Sequence, residues 1–201
     1  TSQIRTNDLK SFKQYLEQND NNITEYTNDI QYSYDVTLNL YKSDTSEITQ
    51  VNPTTIFNSL GMDTSSYSTA YSSMMSSYDV WTELMNNEEL LKSQYDVVAG
   101  NWPTKYNEVI LIVNDQNEIS DYTLYTLGIL SQEELEENFK KMTSGEEVEF
   151  KSTSYTYEEL LNLSYKLVLN TDYYEKQGNI WIDKKDDTEY MKQIIESAEE
   201  I

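Results

Sequence analysis

Between residues 32 and 40 the side chains alternate. Tyr32, Tyr34, Val36, Leu38 and Leu40 are separated by Ser33, Asp35, Thr37 and Asn39. A period of two over nine residues sends successive side chains to opposite faces of a strand, so the pattern predicts a sheet packed on one side and wet on the other. Further strands are read at Tyr165 to Leu169 and at Ile180-Trp181-Ile182 after Gly178, with short ones at Tyr95 to Ala99 and at the Val148/Phe150 pair. Val109 to Val113 is a continuous apolar run, which predicts a strand covered on both faces.

Helical spacing fills the intervals. Residues 7 to 19 place Leu9, Phe12, Tyr15 and Leu16 on one face, and Asn19-Asp20-Asn21-Asn22 follows as a turn. Asn52 caps a short helix with Pro53 at its first position, Ile56, Phe57 and Leu60 within it, and Gly61 closing it. The Ser-rich stretch beyond carries Tyr67, Tyr71, Met74, Met75 and Tyr78 at three- and four-residue intervals. Val80, Trp81, Leu84, Leu90 and Leu91 extend that reading into a helical segment 62–94, with a break near Asn86-Asn87.

Ser120 caps the next helix, with Ile119 stapled onto Leu124 and Gly128 as its end. Ser131-Gln132-Glu133-Glu134 opens another as a capping box, with Leu135, Phe139 and Met142 inward and Gly145 closing it. Tyr157 to Leu161 makes one helical turn. A last helix starts at Asp186, with Glu189 in capping-box register and Tyr190, Met191, Ile194, Ile195, Ala198 and Ile201 on one stripe. Interspersed helices and few strands predict an α+β fold of mixed small sheets with packed helices.

The core is expected to be shallow. Leu, Ile, Val and Phe make 45 of 201 residues against a formal charge of −22, close to the composition at which chains stay disordered. Eighteen tyrosines, with their large apolar area and polar tip, make up the difference. The charge argues against nucleic acid, which binds through cationic side chains, and against an anionic lipid surface as partners. No run of 18 apolar residues occurs, and the opening at Thr1 suggests the excised soluble part of something larger.

The chain has neither His nor Cys. That removes Ser-His-Asp and Cys-His nucleophiles, disulfides, and zinc sites built on those ligands. Paired carboxylates, Ser-Lys pairs and oxygen-ligand calcium sites remain.

Glu133, Glu134, Glu136 and Glu137 cluster at the front of a helix, where the dipole and solvent account for them. Asp115-Gln116-Asn117-Glu118 slightly resembles the start of a calcium loop, but lacks the glycine at the sixth position and has Thr126 where the twelfth-position Glu belongs. Asp183, Asp186 and Asp187 interleave with Lys184 and Lys185 as a charged turn. Asn22-Ile23-Thr24 and Asn162-Leu163-Ser164 match the glycosylation sequon. No catalytic, cofactor-binding or metal-ligating residue is assigned.

Several stretches share one pattern. They are Ile30 to Val36, Gln50-Val51-Asn52-Pro53, and above all Ser93-Gln94-Tyr95-Asp96-Val97-Val98-Ala99-Gly100-Asn101-Trp102-Pro103 running into Tyr106 to Val113. Glu118 to Gly128, Tyr157 to Leu161 and Tyr165 to Leu169 continue it. Together, over roughly residues 28 to 191, they resemble the extracellular domain of FtsX/MacB-like ABC transporter permeases of Gram-positive bacteria. The family pattern often has Arg or Lys where Asn101 stands. Gly100, Trp102 and Pro103 read as turn residues that make the fold.

The resemblance implies a MacB periplasmic-core-like fold, with a porter-like part beginning in residues 1–50 and an inserted Sabre-like lobe in 51–201. It implies a non-catalytic domain between the first and second membrane spans of a permease, on the outer face of the membrane. Its partners would be the permease's own transmembrane helices, a separate cytoplasmic ATPase subunit, a second permease copy, and an extracellular substrate or protein. It implies no cofactor. Tyrosine richness keeps a secreted or surface-anchored carbohydrate- or peptide-binding module as the alternative, and a carboxylate-dependent hydrolase as a third class.

Overall fold

The computed structural model describes residues 7–18, 22–32, 38–52, 56, 79–148 and 152–201. Two compact units divide the chain: Thr1–Asp35 with Glu83–Val98, and Val36–Thr82 with Ala99–Ile201. The architecture is α+β with small antiparallel sheets, as the interspersed elements predict.

The larger unit is organised around β1 (Asn39–Lys42). It pairs antiparallel with β2 (Tyr165–Val168), Leu40 opposite Leu167 and Tyr41 opposite Lys166. β2 in turn pairs with β5 (Glu199–Glu200). The other edge of β1 is also paired. Lys42 N–H donates to the Thr49 carbonyl at 3.0 Å and Val51 N–H to the Leu40 carbonyl at 2.8 Å.

Alternate residues of this sheet feed two separate apolar clusters. Tyr41 and Val168 meet Tyr173, Met191 and Ile195 on one face. Leu40 and Tyr165 meet Val51 and Leu127 on the other, with Trp81, Ile129 and Ile201 packed against them.

This corrects the expected one-sided strand. Residues 33–37 lie outside the described residues, and Leu38, expected inside, is exposed. Asn39, expected in water, is buried. A strand paired at both edges and covered on both faces has no wet side. Asn39 meets that condition by donating from Nδ2 to Asn170 Oδ1 at 2.7 Å and accepting from Gln50 Nε2 at 3.5 Å.

α6 (Thr188–Ser197) covers the first face, burying Met191 and Ile195. Its cap is Asp187, one residue later than the sequence reading, with Oδ1 accepting from Tyr190 N–H at 3.2 Å. Ile201, read as the end of the helical stripe, lies past the helix. Its N–H and carbonyl exchange bonds with those of Tyr165 at 2.8 and 2.7 Å, and its side chain joins the opposite cluster.

Before α6, the hairpin β3 (Tyr174–Gln177) and β4 (Ile180–Asp183) turns through Gly178 and Asn179, with Gly178 at φ +65°. β4 was legible as a strand; β3 was not. The two strands form a separate two-stranded sheet.

Three helices of the larger unit follow their caps. α3 (Asp121–Thr126) starts at Ser120, whose Oγ accepts from Thr123 N–H, and ends at Gly128. There Ile129 N–H reaches the Leu124 carbonyl and Gly128 N–H the Tyr125 carbonyl, the paired bonds that a left-handed glycine permits. α4 (Gln132–Ser144) begins at Ser131 and ends the same way at Gly145. α5 (Tyr157–Leu161) carries a full capping box between Thr156 and Glu159. Of the inward stripe expected on α4, Leu135 and Phe139 are half-buried and Met142 is exposed. Helix ends are set by local chemistry, whereas burial needs a neighbouring layer.

Two predicted strands do not form. Residues 95–99 and 109–113 have no ladder, and Val109 and Ile112 are 51% and 55% exposed. Apolar composition favours burial in a sheet, but β1, β2 and β5 pair among themselves without this run. Val148 is likewise not in a strand, and Phe150 lies outside the described residues.

In the smaller unit, α1 (Leu9–Leu16) is capped by Asp8, whose carboxylate accepts from Ser11 N–H at 3.0 Å. α2 (Glu88–Gln94) is capped by Asn87, which also donates from Nδ2 to the Asn28 carbonyl at 2.7 Å. α2 is the helical part of the expected 62–94 segment that is described, since residues 79–87 are not helical. Trp81 explains part of this. It leaves helical spacing to donate Nε1–H to the Val51 carbonyl at 2.7 Å and to meet the Tyr165 ring edge-on at 5.3 Å. Ile56 is helical and buried; its neighbours 53–55 and 57–78 lie outside the described residues.

Candidate functional site

The residues singled out for chemistry are scattered, and each is held by local structure. The stripe of Tyr67, Tyr71, Met74, Met75 and Tyr78 lies outside the described residues. On α4, Glu133, Glu134 and Glu137 face solvent, and Glu136 pairs with Lys140 one turn on.

Residues 115–118 close a turn around Asn114. Its Oδ1 accepts from the N–H groups of Gln116 at 3.0 Å and Glu118 at 2.8 Å, and its Nδ2 donates to Glu118 Oε2 at 2.9 Å. The Glu118 carboxylate thus serves the turn.

The charged turn before α6 forms as read. Asp183 accepts from Lys185 N–H at 2.9 Å. Asp187 caps the helix and pairs with Lys184 at 2.9 Å, and Glu175 stands 3.7 Å from the same ammonium. Hydrogen bonding to Lys184 holds the Asp187 carboxyl below its ordinary range, and the reciprocal bond raises Lys184. Among the described residues, no group of three or more carboxylates is placed to hold a metal ion.

Gly100 sits at φ +77°, and a β-carbon there would stand 2.9 Å from Leu161 Cδ2. The left-handed conformation favours glycine, whereas the exposed Leu161 side chain could move aside for a β-carbon. Trp102 and Pro103 beside it are half-buried. Of the sequon asparagines, Asn22 is left-handed at φ 55°, and Asn162 is exposed at the end of α5.

Two constellations had no signal in the sequence. In the first, Tyr41 and Tyr173 share a buried hydroxyl–hydroxyl bond at 3.0 Å, and the Lys185 ammonium stands 5.2 Å from the Tyr173 ring centre. Burial raises the phenols of Tyr41 and Tyr173. On the other face, burial pushes Tyr165 to about 12, and its hydroxyl donates to the Leu127 carbonyl at 3.2 Å. These phenols stay protonated and act as polar struts between layers.

In the second, an open hollow of about 400 Å³ lies between the 41–50 hairpin and the loop joining α3 to α4. Lys42, Glu47, Gly128, Gln132 and Lys185 are among its lining. The stem of Lys42 crosses Gly128 so closely that a β-carbon there would stand 2.9 Å from Lys42 Cδ. Gln132 Nε2 bridges the carbonyls of Gln50 and Tyr125, both at 3.3 Å, and fixes the rim. The arrangement offers polar contacts to a small group, and its residues come from sequence positions too far apart to be read as a motif. Compared with family models, with curated proteins and with solved structures, the chain matches none.

Proposed function

We propose that the chain is the non-catalytic extracytoplasmic domain of an FtsX/MacB-like ABC transporter permease. In this reading a separate cytoplasmic subunit hydrolyses ATP. The permease helices carry the resulting movement outward, and the domain converts it into export or into action on an extracellular partner. The observation that carries the reading is the run from Ser93 to Pro103 into Tyr106–Val113 and Glu118–Gly128.

Local structure along that run is compatible with a structural role for its residues. Gly100 and Gly128 occupy left-handed positions that other residues adopt at a cost, and Ser120 caps the helix between Asp121 and Thr126. The finer assignment, a porter-like part beginning in residues 1–50 and a Sabre-like lobe in 51–201, belongs to the same proposal. So do placement on the outer face of the membrane and pairing with a second permease copy.

A second reading, a secreted or surface-anchored carbohydrate- or peptide-binding module, draws on β3–β4. Tyr174, Lys176 and Trp181 share one face of that hairpin, and Trp181 is 64% exposed. An exposed aromatic of this kind suits stacking on a sugar or packing on a peptide.

The parent reading frame separates the two. The permease reading expects one apolar span of about 20 residues before Thr1, three after Ile201, and a neighbouring gene for a nucleotide-binding subunit. A secretion signal with no further span in the frame would contradict it and favour the binding module.

A further inference from the structure

Val109-Ile110-Leu111-Ile112-Val113 is an apolar run that the fold leaves unpaired. The chain makes no turn or bend from 108 to 114, and Val109, Leu111 and Ile112 are exposed. Both ends are pinned. Tyr106 donates its hydroxyl to Glu199 Oε1 at 2.7 Å and Asn107 Nδ2 donates to the Glu200 carbonyl at 2.9 Å, which ties the start of the run to β5. At its end Asn114 N–H donates to the Glu118 carbonyl at 3.1 Å and closes the next turn. Between these ends, among the described residues, no N–H or carbonyl of Val109–Val113 takes a hydrogen bond.

An open run rich in β-branched residues asks for another strand, because a strand presents donors and acceptors at the spacing these groups have. The order of the residues says which strand. Val-Ile-Leu-Ile-Val reads the same in both directions. Antiparallel pairing of two copies about Leu111 sets Val109 opposite Val113, Ile110 opposite Ile112 and Leu111 opposite its own copy. Every facing pair is then Val–Val, Ile–Ile or Leu–Leu, the kind of cross-strand contact that stabilises a sheet. The flanks agree. Glu108 faces Asn114 and Asp115 faces Asn107, so no carboxylate stands opposite another.

We propose that Val109–Val113 is the surface through which two copies of this chain join, as a two-fold antiparallel strand pair centred on Leu111. The two-fold axis makes the contact isologous, the same residues serving both sides. Because both ends of the run are already held, pairing costs less backbone freedom than ordering a loose segment would. The formal charge of −22 on each copy opposes the contact. At physiological salt the Debye length is about 8 Å, so repulsion between distant carboxylates is screened while the strand bonds and apolar pairs are not. The pair therefore tightens as salt rises. The contact does not rest on the permease reading, since a free-standing binding module would pair in the same way.

The full 201-residue chain has no cysteine, so single substitutions scan the register. In Leu111→Cys the two thiols face each other, with Cα atoms about 4.5–5.5 Å apart and within disulfide reach. In Val109→Cys the two copies of that residue lie four positions apart along the pair, about 13 Å, and cannot link. Asn179→Cys, on the exposed hairpin turn, gives the rate of random collision. Mild oxidation followed by non-reducing electrophoresis reads the disulfide dimer. The expected rate at position 111 is at least about tenfold that at 179, with position 109 near the 179 rate. Mixing Val109→Cys with Val113→Cys should restore fast linking, and the rate at 111 should rise between about 0.05 and about 0.5 M NaCl. Adding Ile110→Lys and Ile112→Lys to Leu111→Cys sets lysine opposite lysine and should return linking to the 179 rate. Equal rates at 111 and 179 would overturn the proposal. So would linking as fast at 109 as at 111, because the run would then associate without register. Linking at 111 that survives the two lysines would overturn it as well.

Discussion

α1 and α6 are both short one-sided helices, and they meet opposite fates. α6 presses Met191 and Ile195 into the cluster beneath β1 and β2, where Ile195 is 1% exposed. α1 has as clear a stripe and leaves Leu9 and Phe12 in solvent. Periodicity therefore specifies a helix and a side, but not what that side meets. For α6 the answer is a sheet layer built by segments more than a hundred residues apart in sequence, β1 and β2. For α1 no comparable layer is part of the described residues of its unit.

The strongest test of that contrast is a pair of truncations. Ile195→Ala removes buried methylenes from a packed cluster and should cost about 2–5 kcal/mol of unfolding free energy, whereas Phe12→Ala should stay within about 0.5 kcal/mol. Urea unfolding followed by circular dichroism reads both. A comparable loss in the two variants would mean that α1 packs as α6 does.

Alkaline pH sharpens the contrast with a smaller effect, because it acts on the phenols buried around β1 and β2. Tyrosine in an unfolded chain ionises near about pH 10. Burial raises Tyr41 and Tyr173 and pushes Tyr165 to about 12. A raised folded-state value means that the stabilisation is complete below about pH 10 and is lost as pH climbs toward 12. Urea midpoints should therefore fall through that window, and Tyr165→Phe should make the fall shallower. A midpoint that is flat across the window in the parent chain would show that these hydroxyls ionise freely.

What the sequence made legible was mostly local. Ser120, Ser131 and Thr156 bond to amides three residues on, and Gly128 and Gly145 turn left-handed to finish helices, so adjacent residues suffice to read them. Strand partners were not legible in the same way. Val109–Val113 reads as a buried strand because apolar runs usually are, yet pairing depends on which segments the fold brings beside β1 and β2, and these are residues 49–51 and β5.

β3 was missed although Gly178-Asn179 between two short runs is a hairpin signal, because Glu175, Lys176 and Gln177 lack strand-forming character. The charged turn at Asp183–Asp187 was readable from its interleaved lysines. The hollow beside Lys42 and Gly128 was not, since its lining comes from segments brought together only by the fold.

In the permease reading proposed above, the domain would move in response to ATP used elsewhere and would make or break no bonds itself. The most direct measurement places paired spin labels at Gln18→Cys and Asn179→Cys, in a chain otherwise free of cysteine. The labelled permease is reconstituted in bilayers with its ATPase subunit, and the distance distribution is compared with ATP bound and after hydrolysis. Distributions that shift between the two states, with no turnover by the isolated domain, are the expected result. Identical distributions in both states, in a permease that still hydrolyses ATP and transports, would contradict it.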